Sequence, residues 1–200
     1  AAAFTAIACD RIGVDAVSLS VRELGIRASG PSQHAHPESL DTAALLRALD
    51  AHQAVIVPGF GALLDNGRTA LLGRGGSDLT ALFVAAELGL DHVRLVKDVD
   101  GLYDRDPSGA AGVPLRYSQA SWAVARAVGG VLVQPDAIDM GEDRGVEIEI
   151  AGLGGVRPTR IGARCEAPVP ATALPPFRIA VAGCGVVGAG VLSRLLPDPR

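Results

Sequence analysis

The sequence predicts a layered α/β fold. Apolar strand-like runs alternate with helical patterns along the chain, and 48% of its 200 residues are hydrophobic while 20% are charged. A chain of this length can bury a sizeable core, as one large domain or two small ones. The net charge is −4 and no basic block stands out, so the composition does not indicate nucleic-acid binding.

Five strands are expected, each short, apolar and bounded by glycine, proline or polar residues. They cover about residues 16–18, 54–57, 92–96, 146–150 and 177–182. Helices are expected between them, because apolar residues recur there with a helical period behind capping residues. The first covers about residues 1–12, and later ones begin at Asp41 or Thr42, at Asp78 (ending at Gly89), at Ser118 and after Gly188.

Composition changes towards the end of the chain. Residues 158–176 contain five prolines with little periodicity, which indicates an interdomain connection. We therefore expect a first domain over residues 1–162, a linker over 163–176 and the start of a second domain over 177–200. The chain opens inside one helical pattern and closes just after another, so it is expected to be a piece of a longer protein.

A glycine-rich turn at residues 72–78 is the first candidate binding site. Glycines let backbone N–H groups approach an anion, and the N-terminus of the following helix adds a favourable dipole. Arg74 adds a planar group that binds carboxylates or phosphates with two hydrogen bonds. Asp78 could instead simply cap the helix, so the turn alone leaves a ligand site and a structural turn equally open.

Four motifs, in matching order and spacing, resemble those of aspartate kinases in the amino acid kinase family. They are Val57-Pro58-Gly59-Phe60-Gly61, Gly73-Arg74-Gly75-Gly76-Ser77-Asp78, Lys97-Asp98-Val99-Asp100-Gly101-Leu102-Tyr103 and Asp106-Pro107. The resemblance covers about residues 1–162 and implies an incomplete amino-acid-kinase-like αβα sandwich. It also implies that ATP, with Mg²⁺ bridging its phosphates, phosphorylates the β-carboxylate of aspartate.

The resemblance implies roles for individual residues. Asp78 would be the catalytic residue that organises a phosphate-binding lysine and the transferring phosphoryl group. Arg74 would hold a substrate carboxylate, with Ser77 close by. The residues that would bind the nucleotide are Lys97, Asp98, Tyr103, Arg105, Asp106 and Pro107. Without the resemblance, a turn pair around Gly101 is the weaker alternative for Asp98 and Asp100.

The sequence also departs from the family pattern. A Lys-Phe-Gly-Gly-type phosphate loop is expected upstream and does not occur in this chain, and neither does the substrate-binding acidic residue expected before the first helix. The family's Gly-Ala-Lys-Val-Leu-His-Pro stretch corresponds to residues 129–135, where Val131 replaces a nucleotide-contacting lysine and Gln134 replaces the histidine. We therefore expect the 200-residue chain to have no useful activity by itself.

These departures leave other interpretations open. The domain could be a degenerate, non-catalytic kinase-like module with a structural or sensing role. It could also be another amino acid kinase that acts on a different carboxylate or on a nucleotide.

A second motif starts at Phe177, where an apolar strand leads into G-x-G-x-x-G and a helix, the fingerprint of dinucleotide binding at the first β-α unit of a Rossmann fold. The segment resembles the beginning of homoserine dehydrogenase, and the whole chain resembles bifunctional aspartate kinase–homoserine dehydrogenases without their regulatory domains. This implies NAD(P) and homoserine as further ligands and leaves threonine regulation in doubt. The candidate cofactor-binding residues are Gly183, Gly185, Val186, Val187 and Gly188.

The remaining signals are weak. The three cysteines are far apart and in no metal-binding spacing, and the longest apolar stretch, residues 179–192, is too short and too glycine-rich to span a bilayer. We expect a reduced cytoplasmic homo-oligomer with no membrane partner and no resident metal. His34 and His36 suit a solvated loop, with a metal pair as the alternative, and Trp122 is expected in the core.

Overall fold

Helices and strands alternate along the chain, so the predicted α/β class is confirmed. The computed structural model describes residues 2–107, 112–130, 132–155 and 157–171. The helices in these residues are α1 (Ala2–Arg11), α2 (Val21–Leu24), α3 (Thr42–Ala51), α4 (Gly76–Glu87), α5 (Trp122–Gly129) and α6 (Pro135–Arg144). The strands are β1 (Ala16–Ser18), β2 (Arg27–Ser29), β3 (His36–Ser39), β4 (Ala54–Ile56), β5 (Gly61–Leu63), β6 (Thr69–Leu71), β7 (His92–Lys97), β8 (Leu102–Tyr103), β9 (Leu115–Tyr117), β10 (Gln119–Ser121), β11 (Glu147–Gly152), β12 (Thr159–Gly162) and β13 (Val169–Pro170).

The principal sheet has the strand order β10-β12-β11-β7. β11 runs parallel to β7 and antiparallel to β12, while β10 runs parallel to β12. Alternation along β11 puts Ile148 and Ile150 on one face, opposite Val93 and Leu95 of β7. β7 ends at Lys97, so the carboxyl end of this strand leads directly into a predicted nucleotide-binding motif.

Strands of the smaller sheets lie next to the other motifs in the chain. β1 pairs in parallel with β4, which ends just before Pro58. The sheet β3-β2-β5-β6 contains the β5–β6 hairpin, and the chain passes from β6 through the glycine-rich turn into α4. The sheet β13-β9-β8 follows the nucleotide motif.

Two apolar clusters form the core, and α4 contributes to both. Leu82 and Ala85 belong to the cluster around the principal sheet, which also contains the buried isoleucines of β11. Leu79 and Phe83 belong to the cluster under the smaller β3-β2-β5-β6 sheet. Full burial of such a side chain stabilises a fold by about 1.5–3 kcal/mol, so α4 is held from two sides.

Most predicted elements are confirmed to within two residues. The strands expected at 16–18, 54–57, 92–96 and 146–150 correspond to β1, β4, β7 and β11. Asp41 is the N-cap of α3, because its Oδ1 accepts a hydrogen bond from the Ala44 N–H at 2.9 Å. Trp122, which was expected in the core, is only half-buried and packs against the first cluster from its margin.

The predicted cap of α5 is wrong. Ser121, not Ser118, caps this helix, and its hydroxyl accepts a hydrogen bond from the Val124 N–H at 3.3 Å. The chain stays extended until Ser121 because β10 pairs with β12, an interaction between distant segments that local capping signals do not contain. Ser118 instead donates to the Glu166 carboxylate at 2.7 Å.

The proline-rich segment also differs from expectation at its start. Thr159–Gly162, inside the stretch interpreted as a connection, forms β12 between β10 and β11. Further on, Val169 and Pro170 pair with β9. Contacts group residues 1–170 into one compact unit. The predicted start of a second domain at 177–200 lies outside the described residues.

None of the helices in the described ranges is both long enough and apolar enough to cross a membrane.

Candidate active site

The glycine-rich turn lies between β6 and α4, and its glycines are required by the structure. Gly75 is the N-cap of α4 and has a φ of 76°, a left-handed conformation that glycine adopts readily. The Gln134 side chain lies directly against it, so that a Cβ atom at Gly75 would be 2.6 Å from the Gln134 Cβ. The turn is therefore packed against protein side chains, and glycine is needed at Gly75 for that packing.

A second turn, at residues 58–60, meets the first one at the start of α4. A Cβ atom at Gly59 would lie 3.0 Å from Ser77 Cα, so the two backbones approach closely. Phe60 has a φ of 78°, which is unfavourable for a residue with a side chain. Its N–H donates to Thr80 Oγ1 at 3.0 Å, and its carbonyl accepts from the Leu72 N–H at 2.9 Å. These bonds hold a strained backbone of the kind that clusters at functional sites.

Asp78 and Lys97 bring the third motif to the same place. The Lys97 ammonium donates to Asp78 Oδ2 at 2.7 Å, and the two side chains are only 19% and 15% exposed. Asp78 lies in the first turn of α4 and Lys97 is the last residue of β7. The residue predicted to be catalytic therefore contacts a lysine that was predicted only to bind the nucleotide.

Arg74 is exposed at the mouth of a cleft of about 170 Å³. Its guanidinium makes no ion pair with any described residue. His34, Gln134 and Asp136 also line this cleft. Arg74 is therefore available to a ligand, and the cleft is polar enough to receive one.

Ser77, the predicted neighbour of Arg74, faces a different cleft. It is exposed and lines a space of about 290 Å³ together with Val57, Gly59 and Val84. The structure thus places Arg74 and Ser77 on two sides of the same helix terminus.

His36 also differs from expectation, because it is the exposed first residue of β3 and not a loop residue.

The predicted nucleotide segment is divided between an exposed part and a buried part. Asp98, Arg105, Asp106 and Pro107 are exposed. Arg105 pairs with Asp104 at 2.9 Å, and this guanidinium, followed by the Leu115 N–H, lowers the pKa of the Asp104 carboxyl. The exposed residues are accessible to a nucleotide, as the prediction requires.

Tyr103 belongs to the buried part, where Asp100 is held by several groups. The Tyr103 hydroxyl donates to Asp100 Oδ1 at 2.5 Å, and Arg116 Nη2 donates to the Asp100 carbonyl at 3.2 Å. A Cβ atom at Gly101 would lie only 2.6 Å from Thr159 Oγ1, so this loop can only be formed with glycine there. Asp100 therefore has structural contacts within the fold. This agrees with the alternative interpretation of that residue as part of a structural turn.

Several residues at the site were not singled out as site residues from the sequence. Arg116 is buried, and within the described part of the chain its Nε has no hydrogen-bond partner. His34 lies against the glycine turn, where a Cβ atom at Gly73 would be 2.7 Å from its Nδ1. Arg116 and His34 come from segments distant from the motifs they touch; no local pattern marks Arg116, and His34 was considered only as half of a metal pair with His36. Gln134 was noted only as a departure from the family pattern.

A titration of Tyr103 tests the buried part of this loop. Burial, followed by the hydrogen bond to Asp100, raises the pKa of Tyr103 to about 12. In a Tyr117→Phe variant Tyr103 is the only tyrosine, and ultraviolet absorbance should show its ionisation near that pH. Since the folded protein favours the neutral phenol, this group stabilises the fold below about pH 10, and the contribution is lost as the pH rises towards 12.

Asp100→Asn should move the Tyr103 pKa part of the way back, because burial remains. Asp98→Asn, which changes an exposed neighbour, is the matched control and should leave it unchanged. Ionisation at about pH 10, the ordinary value for tyrosine, would contradict the buried hydrogen bond.

Comparison with known proteins identifies the class of this fold. The model of the amino acid kinase family matches residues 1–151, and the chain belongs to this family. The aspartokinase of Helicobacter pylori is 40% identical over 101 residues, which are 50% of this chain and 25% of that protein. The aspartokinase of Mycolicibacterium smegmatis is 38% identical over 106 residues, 52% of this chain and 25% of that protein.

A solved structure gives the same class. Escherichia coli aspartokinase III in complex with aspartate and ADP matches with a TM-score of 0.68 and 26% identity, over 78% of this chain and 37% of that chain. The predicted amino-acid-kinase-like fold is therefore confirmed. The chain spans about a quarter of the length of the curated relatives it matches.

Two groups of predictions lie outside the described residues. One concerns Val131, which stands where the family has a nucleotide-contacting lysine. The other is the dinucleotide fingerprint, Gly183, Gly185, Val186, Val187 and Gly188. Within the described ranges, no three His, Cys, Asp or Glu side chains are grouped so that they could hold a metal ion.

Proposed function

We propose that this chain is kinase-domain sequence of an aspartate kinase, which transfers the γ-phosphoryl group of ATP to the β-carboxylate of L-aspartate. The observation that carries the proposal is the Asp78–Lys97 ion pair, through which two motifs of the predicted site meet at the start of α4. The sequence similarity to aspartokinases supports the choice of substrate.

The reaction requires little from the protein beyond positioning and charge. A carboxylate oxygen of aspartate attacks the γ-phosphorus, a new O–P bond forms, and the bond to the bridging oxygen of ADP breaks. The β-carboxylate is already ionised at neutral pH, so no general base is needed. Arg74 would orient a carboxylate of aspartate from its cleft, Ser77 would contact the substrate from the other side of the helix terminus, and the N-terminus of α4 would favour the negative charge that collects there.

The site fits a nucleotide that carries its own magnesium ion. Mg²⁺ is commonly bound by substrate phosphates together with one or two carboxylates. Asp78 and Asp98, the carboxylates next to Lys97 in space and in sequence, would share it. When bound, the ion supplies charge neutralisation between the phosphates. Arg105, Asp106 and Pro107, all exposed, would contact the rest of the nucleotide.

Replacing Arg74 by alanine tests the aspartate-binding side. The change removes a charge-assisted contact worth about 1.5–3 kcal/mol, so the KM for aspartate in the full-length gene product should rise by about 10–150-fold. Steady-state kinetics of aspartate-dependent ADP formation measure the effect, and the turnover number should change much less. Arg68→Ala removes another exposed arginine, in the turn just before β6, and serves as the control. A KM for aspartate that Arg74→Ala leaves untouched would refute the assignment.

A non-catalytic kinase-like module is the alternative, and Gln134 favours it. This residue, which stands where the family has histidine, packs against Gly75 and donates to the Gly130 carbonyl at 3.2 Å, which is a structural role.

If Val131 leaves the phosphates without a cation, Val131→Lys should raise kinase turnover or ATP affinity. Wild-type kinase turnover comparable with the proposed dehydrogenase turnover would exclude the non-catalytic module.

We further propose that the kinase is coupled to an NAD(P)-dependent homoserine dehydrogenase in a cytoplasmic homo-oligomer. The G-x-G-x-x-G fingerprint behind an apolar strand at residues 177–188 supports this. Equilibrium titration of the full-length gene product with NADPH should show binding that Gly185→Ala, at the position where the backbone approaches the pyrophosphate, abolishes. Absence of NADPH and NADH binding by the wild type would rule the coupling out, whatever its kinase activity.

A further inference from the structure

The cleft beside the glycine-rich turn carries two opposite charges that no described residue neutralises. Arg74 and Asp136 both line this space of about 170 Å³. They are the only Lys, Arg, Asp or Glu side chains among the described residues around it. Neither forms an ion pair with the other or with any further described residue, so their charged atoms are more than 4.0 Å apart. A positive and a negative group are therefore both available to one ligand.

Both charges are attached to well-packed parts of the fold. Asp136 is in the first turn of α6, directly before Ala137, which is fully buried in the first apolar cluster. Arg74 belongs to the turn whose Gly75 packs against Gln134, the N-cap of α6. This contact joins the two segments that carry the charges, so the spacing between them is set by the fold and not by the ligand.

The volume of the cleft limits the size of its ligand. A cavity of about 150 Å³ holds a molecule as small as benzene, and drug-sized ligands occupy about 300–1,000 Å³. A space of about 170 Å³ therefore suits a small amino acid. A nucleotide is too large for it.

The charges select an amino acid among small acids. A guanidinium group such as that of Arg74 binds a carboxylate with two hydrogen bonds, and a carboxylate such as that of Asp136 accepts hydrogen bonds from an ammonium group. An α-amino acid carries both groups on one carbon atom, so it can satisfy both residues at once. A dicarboxylate without an ammonium group would bring only negative charge to Asp136, which disfavours it.

We propose that Asp136 binds the α-ammonium group of L-aspartate while Arg74 binds the α-carboxylate, which makes Asp136 a specificity-determining residue. The inference rests on the proposed function. Because both contacts are made to groups on the α-carbon, the β-carboxylate is the one that these residues leave free. Its oxygen bonds to the γ-phosphorus, and the electron pair of the bond that breaks stays on ADP. Asp136 transfers no proton.

Equilibrium binding of L-aspartate and succinate to the full-length gene product tests the inference without any activity measurement. Succinate keeps both carboxylates and has hydrogen in place of the ammonium group. The wild type should bind L-aspartate about tenfold more tightly than succinate or better, as a charge-assisted hydrogen bond implies. Asp136→Asn, which keeps the shape of the side chain and removes its charge, should weaken L-aspartate binding by about tenfold. Succinate binding should stay within about twofold, because succinate has no ammonium group to lose a partner.

Three further variants make the experiment specific. Asp136→Glu keeps the charge and should recover part of the preference for L-aspartate. Arg74→Ala should weaken the binding of both ligands, because both carry a carboxylate. Asp143→Asn is the matched control, since it removes another exposed aspartate of α6 that has no ion pair among the described residues and does not line the cleft. It should bind both ligands as the wild type does, and circular dichroism checks that each variant is folded.

The outcomes separate this inference from the proposed function. If the wild type binds L-aspartate and Asp136→Asn keeps the same preference over succinate, the inference is wrong while the kinase proposal stands. Equal losses of L-aspartate and succinate affinity in folded Asp136→Asn would also overturn it, because Asp136 would then only support the shape of the cleft. If the wild type binds no L-aspartate, the proposed function itself is wrong.

Discussion

Asp78→Ala is expected to lower the turnover number of aspartate-dependent ADP formation by about 100–1,000-fold, the usual loss when one preorganised electrostatic group is removed from a phosphate or oxyanion site. The substitution releases the Lys97 ammonium from its 2.7 Å contact. It also leaves a largely buried cation unpaired, which should lower the free energy of unfolding by about 2 kcal/mol. The KM for aspartate should change little, because Arg74 is untouched.

Glu87→Ala is the matched control for this substitution. Glu87 is the last residue of the same helix and its carboxylate, 23% exposed, pairs with Arg144 at 3.6 Å. The variant also loses an ion pair, but about 14 Å away along the helix, so turnover should be unaffected. Equal turnover losses in both variants would show that α4 tolerates no change at all, and would remove the argument for a specific role of Asp78.

Gly75→Ala should be the most destabilising single substitution in the glycine-rich turn, lowering the free energy of unfolding by about 2–4 kcal/mol. A side chain is strained at its φ of 76°, and the new Cβ would collide with Gln134, whose own Cβ would be 2.6 Å away. Because Gly75 begins α4, the shift would also displace Ser77 and Asp78. Urea unfolding followed by circular dichroism measures the loss.

Gly89→Ala separates the two causes. Gly89 has a similar φ of 67°, but nothing lies within 4 Å of where its Cβ would be. This variant should therefore lose only the conformational part, about 1–2 kcal/mol. Gln134→Ala should partly rescue Gly75→Ala, because it removes the Cγ atom from the collision. Equal losses at Gly75 and Gly89, with no rescue, would mean that Gln134 moves aside freely.

The sequence predicts the elements that have strong local signals. β7 and β11 are apolar runs between turn residues, and Asp41 caps α3 with the side-chain bond that its residue type favours. α6 was missed because its residues are largely polar, although Pro135 at its first position is a recognisable start signal. β12 was missed because it exists only through pairing with β10 and β11.

In the candidate site, too, features with local sequence signals were predicted and contacts between distant segments were not. Motif spacing identified the turns that hold Arg74 and Asp78, since glycine patterns are local. The ion pair between Asp78 and Lys97 joins residues of different elements, and nothing in either motif says that their side chains meet. Arg116 is similar, because a buried arginine cannot be distinguished by sequence from the many exposed ones.

The double attachment of α4 links the site to the cooperativity of folding. Its Leu82 is buried in one apolar cluster and its Phe83 in the other, so neither cluster can open without withdrawing a side chain from its neighbour. Local unfolding of this helix would therefore disrupt both clusters together, at a higher free energy than the opening of an exposed loop. Any ligand held by the first turn of α4 would be thermodynamically linked to that opening, and its binding would stabilise both clusters instead of a single loop.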